Sequence, residues 1–414
     1  MRATKPRTQF FSSSKGKWMI PRRWVEMAPG ERECLEKFAA GSSGHETIIA
    51  DWESAVARFT GMPHAAASSS GRQGMLAILN RLGIGPGHEV IIPAYTLGDL
   101  LPLIQGLGAR PVPADIDLDT FNVTAETIAP RITSRTRAIL VLHAFGAPAD
   151  MPAILDVAGE RHIPVIEDCA HSLGAALSGK QTGSFGEAGF FSFEYNKPVN
   201  TWGGGMVVTR DEALAESIRE RQRGGISDPS FLQTKIRGMQ TEQRIFQTGA
   251  AFVPLLLFAL PGVRGVMARV YRRMQRTTPP RLRYLPVQAE IGIAKLAALA
   301  ERLAARESAA KAYCDLLHPG IRPQRLLPGA SSTWYFFVVR LPRPARISRL
   351  RLLLNGIDAG IEHEIADDCA AILGDAGCPN AAQLYRTAVA LPMFDSITHD
   401  QIYKAARTLN AIVA

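Results

Sequence analysis

Short, continuous apolar runs alternate along this chain with segments whose apolar residues recur every three or four positions. The runs at 89–92, 110–114, 136–143, 164–167, 189–193 and 205–209 predict buried strands, with TRAILVLH at 136–143 the strongest. Between them, residues 70–82, 100–107, 151–161 and 212–221 predict amphipathic helices, and 45–59 predicts another before the first run. Near-continuous apolar strands separated by helices predict an open, mostly parallel sheet covered by helices on both faces. Farther on, 289–317 predicts one long helix. A strand over 333–341 (TWYFFVVRL) and helices over 346–355 and 400–414 follow it, as in a smaller α+β domain. No internal repeat interrupts the order.

At 414 residues the chain exceeds what one hydrophobic core usually supports, so two domains are expected. Its 46% apolar and 21% charged residues exclude disorder, collagen and coiled-coil rods as the overall class. The five cysteines are scattered without CxxC or zinc-finger spacing, and the nine histidines are dispersed. Neither a disulfide framework nor a metal site is expected, and a cytoplasmic compartment fits. The first 18 residues lack the apolar stretch of a signal peptide.

Charge is unevenly placed. Residues 1–23 hold seven basic and no acidic side chains, and residues 243–289 hold eight arginines, no lysine and no acid. With a net charge of +9, these +15 leave −6 for the rest. The second basic stretch contains an apolar run, GAAFVPLLLFALPGV at 249–263, followed by Arg264, Arg269, Arg272, Arg273 and Arg276. The run is too short to span a bilayer as a helix and is interrupted by Pro254 and Pro261. Peripheral contact of 249–276 with the inner face of a membrane, or a hairpin packed on the body or on a second subunit, are both open. No nucleic-acid-binding pattern accompanies the charge. The chain thus divides into a basic arm (1–30), a large domain (31–226), an apolar and arginine-rich insertion (227–282), and a long helix with the small domain (283–414).

In open sheets of this kind ligands gather beyond the carboxyl ends of the strands. Four loops there carry chemistry. Ser68-Ser69-Ser70-Gly71-Arg72 opens a helix, where free N–H groups and hydroxyls can hold a phosphate, or merely cap the helix. Glu167-Asp168 closes a buried strand, placing a carboxylate where it could meet a cationic ring nitrogen or cap a helix. Lys197 follows an apolar strand among aromatics, where a neutral amine could form a Schiff base with an aldehyde cofactor. Gly203-Gly204-Gly205 allows sharp bending or close approach. Phosphate loop, aspartate, lysine, glycines: the order is that of a pyridoxal-phosphate enzyme.

From Ile166-Glu167-Asp168-Cys169-Ala170-His171, Gly183-Ser184-Phe185-Gly186, Phe191-Ser192-Phe193 and Ala390-Leu391-Pro392-Met393 the chain resembles the DegT/DnrJ/EryC1/StrS nucleotide-sugar aminotransferases. The stretches 87–94, 113–117 and 143–151 add to the likeness. The resemblance implies the fold type I (aspartate-aminotransferase-like) architecture with a mostly parallel seven-stranded sheet. It implies Lys197 as the Schiff-base lysine and proton shuttle, Asp168 against the pyridine nitrogen, and His171 near the cofactor's 3-oxygen. Ser192 with Ser70, Gly71 and Arg72 would hold the phosphate, and Leu97 would stand where an aromatic usually covers the ring. The resemblance further implies a homodimer whose partner contributes an Asn-x-Arg element, which reads Arg281-Leu282-Arg283 here. The expected reaction moves an amino group, from glutamate as typical donor, through pyridoxal 5'-phosphate and its pyridoxamine form. The acceptor would be a keto group on a nucleotide-linked sugar or a related, lipid-linked molecule. The alternatives are a pyridoxamine-dependent sugar dehydratase, whose branch replaces the lysine by histidine, and a non-catalytic, membrane-associated regulatory homologue.

Overall fold

The protein is described from a computed structural model, which covers residues 19–41, 44–248, 251–259 and 279–413. Most of the basic arm and the arginines at 264–276 lie outside the described residues.

Seven strands form the main sheet: β1 (His64–Ser68), β2 (Glu89–Pro93), β3 (Arg110–Ala114), β4 (Thr136–Leu142), β5 (Val165–Asp168), β6 (Ala188–Ser192) and β7 (Gly205–Thr209). Their order is β1-β7-β6-β5-β4-β2-β3. Only β7 runs against its neighbours; every other pair is parallel. The expected α/β architecture is therefore present. Both faces are covered, which is why the strands read as continuous apolar runs. Ile139 and Val141 of β4 enter one core, whereas Ala138 and Leu140 enter the other. The helix Gly71–Arg81 lies close on the sheet because Gly74 has no side chain: a Cβ there would stand 2.8 Å from Val207.

A second, antiparallel sheet of Arg322–Pro323, Phe337–Arg340 and Ala388–Leu391 packs with the helices Leu299–Leu316, Ala345–Leu354 and His399–Val413 around Tyr313, Phe337, Leu352 and Leu409. Two expectations change here. The long helix is two, Pro286–Ala297 and Leu299–Leu316, because the chain must serve two cores. Leu299 packs beside the main sheet and Tyr313 inside the second one. The strand expected at 333–341 shrinks to Phe337–Arg340, since Thr333 and Tyr335 donate their N–H groups to Gly146 and Phe145 below the main sheet instead.

Among its described residues the insertion at 227–282 contains two helices, Pro229–Thr248 and Phe252–Ala259. The first is firmly packed, burying Leu232, Ile236 and Met239 with Trp202 and with Leu35 and Phe38 of the helix Glu31–Ala39. The second touches Met19 and Leu353 on one side and leaves Val253 and Leu257 exposed on the other. Among the described residues no helix is long and apolar enough to cross a membrane.

Candidate active site

All the chemistry-bearing loops meet at one edge of the main sheet, where the parallel strands end and the reversed β7 begins. Three backbone segments close up there. Gly205 opposes Ser192 in register, and Ser70 bridges Gly204. A Cβ on Gly205 would lie 2.4 Å from the Gly71 nitrogen, and one on Gly71 would lie 3.1 Å from the Phe191 carbonyl and 3.3 Å from Ser192 Cβ. The glycines are thus required by close approach, and they set the N-terminus of an eleven-residue helix beside the Ser192 hydroxyl. Ser70 caps that helix, accepting a hydrogen bond from Gln73 at 3.3 Å. The cradle brings together Ser70, Gly71 and Ser192, and its N–H groups suit a phosphate. Arg72 points elsewhere: its guanidinium donates to Asp99 at 2.9 Å, just beyond Leu97.

Asp168 and Glu167 sit side by side at the end of β5, and strand alternation sends them to opposite faces. Glu167 is sealed in the fold. Its carboxylate accepts N–H bonds from Gly183, Phe185 and Gly186 at 2.7–2.8 Å and one from His143 Nε2 at 3.0 Å. His143 in turn accepts from the Ala149 N–H, so its place is structural. His143, Glu167 and Cys169 gather their ligand atoms within 4.8 Å, yet the hydrogen bonds just named already occupy the carboxylate and both ring nitrogens. Asp168 is buried too, but accepts from the Ala170 N–H at 3.0 Å. Burial pushes its carboxyl up to about 6, a rise moderated by the Ala170 N–H and by the charge of Lys197. A buried carboxylate so weakly compensated is suited to a cationic ring nitrogen.

Lys197 lies beyond β6 on a loop tied back by the Thr201 and Gly203 N–H groups to Phe193. Its Nζ stands 4.1 Å over the Tyr335 ring, and its charge acts on both Asp168 and His171. His171 is sandwiched between Tyr335, at 4.3 Å, and Phe145, at 6.1 Å, in near-parallel stacking. Burial, and secondarily Lys197, drives the imidazole well below its usual range, so it is neutral near pH 7. The Phe145 N–H donates to Nδ1 at 3.3 Å, which leaves the proton on Nε2 as a donor. Phe145 itself adopts φ 56° and ψ 14°, a left-handed conformation held by this packing. Tyr335, which the sequence reading treats only as part of a strand, also receives Asn196 Nδ2 on its hydroxyl at 2.6 Å.

Leu97 is 49% exposed at the start of a short 3-10 turn, open toward solvent rather than packed in the core. Arg281 is exposed; Arg283 pairs with Glu46 at 3.0 Å. Both arginines flank Leu282, which bridges Ile226, and among the described residues neither is joined to Asp168, His171 or Lys197 of the same chain.

A glycine-lined helix N-terminus, a buried carboxylate, a neutral imidazole donor and a lysine at one end of the sheet are groups that fit pyridoxal 5'-phosphate. The profile of the DegT/DnrJ/EryC1/StrS aminotransferase family matches residues 38–410. A GDP-perosamine synthase of Caulobacter vibrioides is 39% identical over 198 residues, 48% of this chain and 53% of that protein. A UDP-N-acetyl-3-dehydro-alpha-D-glucosamine 3-aminotransferase of Acidithiobacillus ferrooxidans is 40% identical over 174 residues, 42% of this chain and 47% of the relative. The chain therefore spans about half the length of these curated relatives. Among solved structures, an aminotransferase from Streptoalloteichus hindustanus shares the fold with a TM-score of 0.76 at 24% identity, covering 95% of this chain and 98% of that one. With a match running from the first helices through the second sheet, the chain belongs to the DegT/DnrJ/EryC1/StrS aminotransferase family.

Proposed function

We propose that the protein is a pyridoxal-phosphate-dependent aminotransferase. It moves an amino group from an amino acid, glutamate by preference, to a keto group of a nucleotide-linked sugar. What supports this reading is topology: Asp168 ends β5, Lys197 follows the neighbouring β6, and the last residue of β6, Ser192, meets Gly71 and Gly205 in the glycine-lined cradle. The carrier follows from relatives named for GDP- and UDP-linked amino sugars.

Each residue then has a task. The N-terminus of the helix Gly71–Arg81 and the Ser192 hydroxyl would hold the phosphate. Asp168, ionised once a ring N–H faces it, keeps that proton in place. The Nε2–H of His171 would be available to donate to the cofactor's ring oxygen. When bound, the cofactor supplies an aldehyde for the amine and a ring that accepts electrons as a substrate C–H bond breaks. Lys197 takes and returns the proton at Nζ, and the Tyr335 face beneath it steadies the charged form. Leu97 would offer an apolar cover to the cofactor, and Arg72 would assist the phosphate only on leaving Asp99. A second copy of the chain would complete the site: Leu97 and Arg281 are exposed in one copy, as residues of a shared interface would be. Arg281 and Arg283 of each copy would serve the other. The lysine at 197 favours amino transfer over dehydration.

The test is Lys197→Ala. The native protein should bind pyridoxal phosphate with an absorption band near the visible violet that an amino donor bleaches, and borohydride should fix the cofactor's mass on Lys197. The variant should lose band, fixation and turnover together. Full turnover without Lys197 overturns the proposal.

A further inference from the structure

Lys197 opens onto a cavity whose other walls include Arg23, Trp24, Tyr195, Arg302 and Arg306; no acidic side chain lines it among the described residues. On the helix Leu299–Leu316, Arg302 Nε donates to one oxygen of Asp395 at 2.5 Å and Arg306 Nε to the other at 2.6 Å. Arg306 is further used by the Trp334 carbonyl at 2.9 Å. Two guanidiniums thus share one carboxylate and keep one net positive charge. Arg302 Nη1 is buried and has no hydrogen-bond partner among the described residues. A buried cationic N–H without an acceptor costs free energy that an incoming anion returns.

The facing wall is the strap at 19–28. Arg23 donates to the Tyr195 hydroxyl at 2.7 Å, lies over that ring at 4.9 Å and is 3.6 Å from Glu242. Gln243 donates to the Val25 carbonyl at 2.9 Å. The helix Pro229–Thr248 therefore holds the strap over the cavity, and through Lys235 and Glu194, 2.6 Å apart, it also grips the loop that carries Lys197.

We propose that this cavity is an anion subsite of the substrate pocket, in which Arg302, assisted by Arg23 on the strap, binds paired oxygens of a carboxylate or a phosphate. The inference rests on the aminotransferase reading, whose two substrates supply both sources: the carboxylates of an amino donor and the diphosphate of a nucleotide carrier. Arginine is suited to either because its planar fork meets two oxygens at once.

The experiment uses the full-length protein freed of cofactor, with glutarate and UDP titrated separately by calorimetry. At least one should bind, and Arg302→Met should weaken that binding about tenfold or more while the other probe and the melting temperature change little. Glutarate sensitivity assigns the site to the donor; UDP sensitivity assigns it to the carrier. Arg302→Lys, which keeps the charge but not the fork, should recover only part of the affinity. If Arg302→Met does not fold, Arg302→Lys and Arg23→Met carry the same comparison. Binding of neither probe by the native protein, or affinities unchanged within threefold in the folded variants, overturns the proposal. Failure of the native protein to take up pyridoxal phosphate would strike the aminotransferase reading instead, since the anion titration is made without cofactor.

Discussion

Replacing Asp168 by asparagine should stabilise the cofactor-free protein at neutral pH while ruining the loaded one. The carboxyl rises from its ordinary 3.8 to about 6 on folding because burial penalises the charged form. For a raised acid the sign runs one way. Between pH 3.8 and 6 the folded state holds the proton that the unfolded chain has released, so stability falls as pH rises through that window. Above pH 6 the full cost is present: about two pH units at 1.36 kcal/mol each, or about 3 kcal/mol. Asparagine keeps the oxygen that accepts from Ala170 and carries no charge to bury. At pH 7.5 the cofactor-free variant should therefore melt about 3–7 °C higher, the spread depending on how much of the chain unfolds together. Near pH 4 the gain should vanish. Saturation with pyridoxal phosphate should reverse the order, because the carboxylate then has a ring cation and the amide does not. Thermal melts of both proteins at pH 4, 6 and 7.5, with and without cofactor, measure all of this. A variant less stable than the native protein at pH 7.5 without cofactor, or a difference independent of pH, would refute the argument.

Three further outcomes are expected. Gly205→Ala places a Cβ 2.4 Å from the Gly71 nitrogen and should raise the dissociation constant for pyridoxal phosphate far more than that for unphosphorylated pyridoxal; equal losses would mean that the cradle is not the phosphate site. Glu167→Gln turns an amide donor toward backbone N–H groups and should cost about 3 kcal/mol or more in urea melts, and a loss below about 1 kcal/mol would show the cluster to be loosely held. Peripheral membrane contact is tested by deleting 248–264, which removes the exposed Val253 and Leu257: contact through this segment requires that the native protein sediment with anionic liposomes and the deletion not, with the cofactor spectrum spared, and equal sedimentation of the two rejects it.

The legible part of the fold is the part whose residues have one job. β2 through β7 are covered on both faces, so their apolar runs point to strands directly. β1 is HAAAS, and alanine carries little strand preference, so it is set by pairing with β7 rather than by its own composition. Lys197 and Asp168 stand out because polar groups just beyond buried strands have few structural reasons to be there. Tyr335 does not stand out. It lies in an apolar aromatic run that reads as strand, and the left-handed Trp334 that turns it toward Lys197 leaves no mark in composition. A denser cluster of aromatics than a four-residue strand needs is the available signal. Arg72 reads as a phosphate ligand from position alone; what diverts it is Asp99, 27 residues away in the chain.

The insertion shows the same limit from the other side. Its charge and its apolar run leave membrane contact and packing on the body equally open, because sequence displays what a segment carries and not what it leans on. The helix Pro229–Thr248, which precedes that run, spends Leu232, Ile236 and Met239 on the core, and spends Glu242, Gln243 and Lys235 on the strap and on the lysine loop. A segment so placed ties the strap at 19–28 to the loop that carries Lys197. Substitutions at Glu242 or Gln243, remote in sequence from every predicted site residue, should then move the Michaelis constants of the substrates with little effect on cofactor uptake. The reverse result, lost cofactor with unchanged substrate constants, would mean that the helix supports the large sheet and not the cavity in front of Lys197.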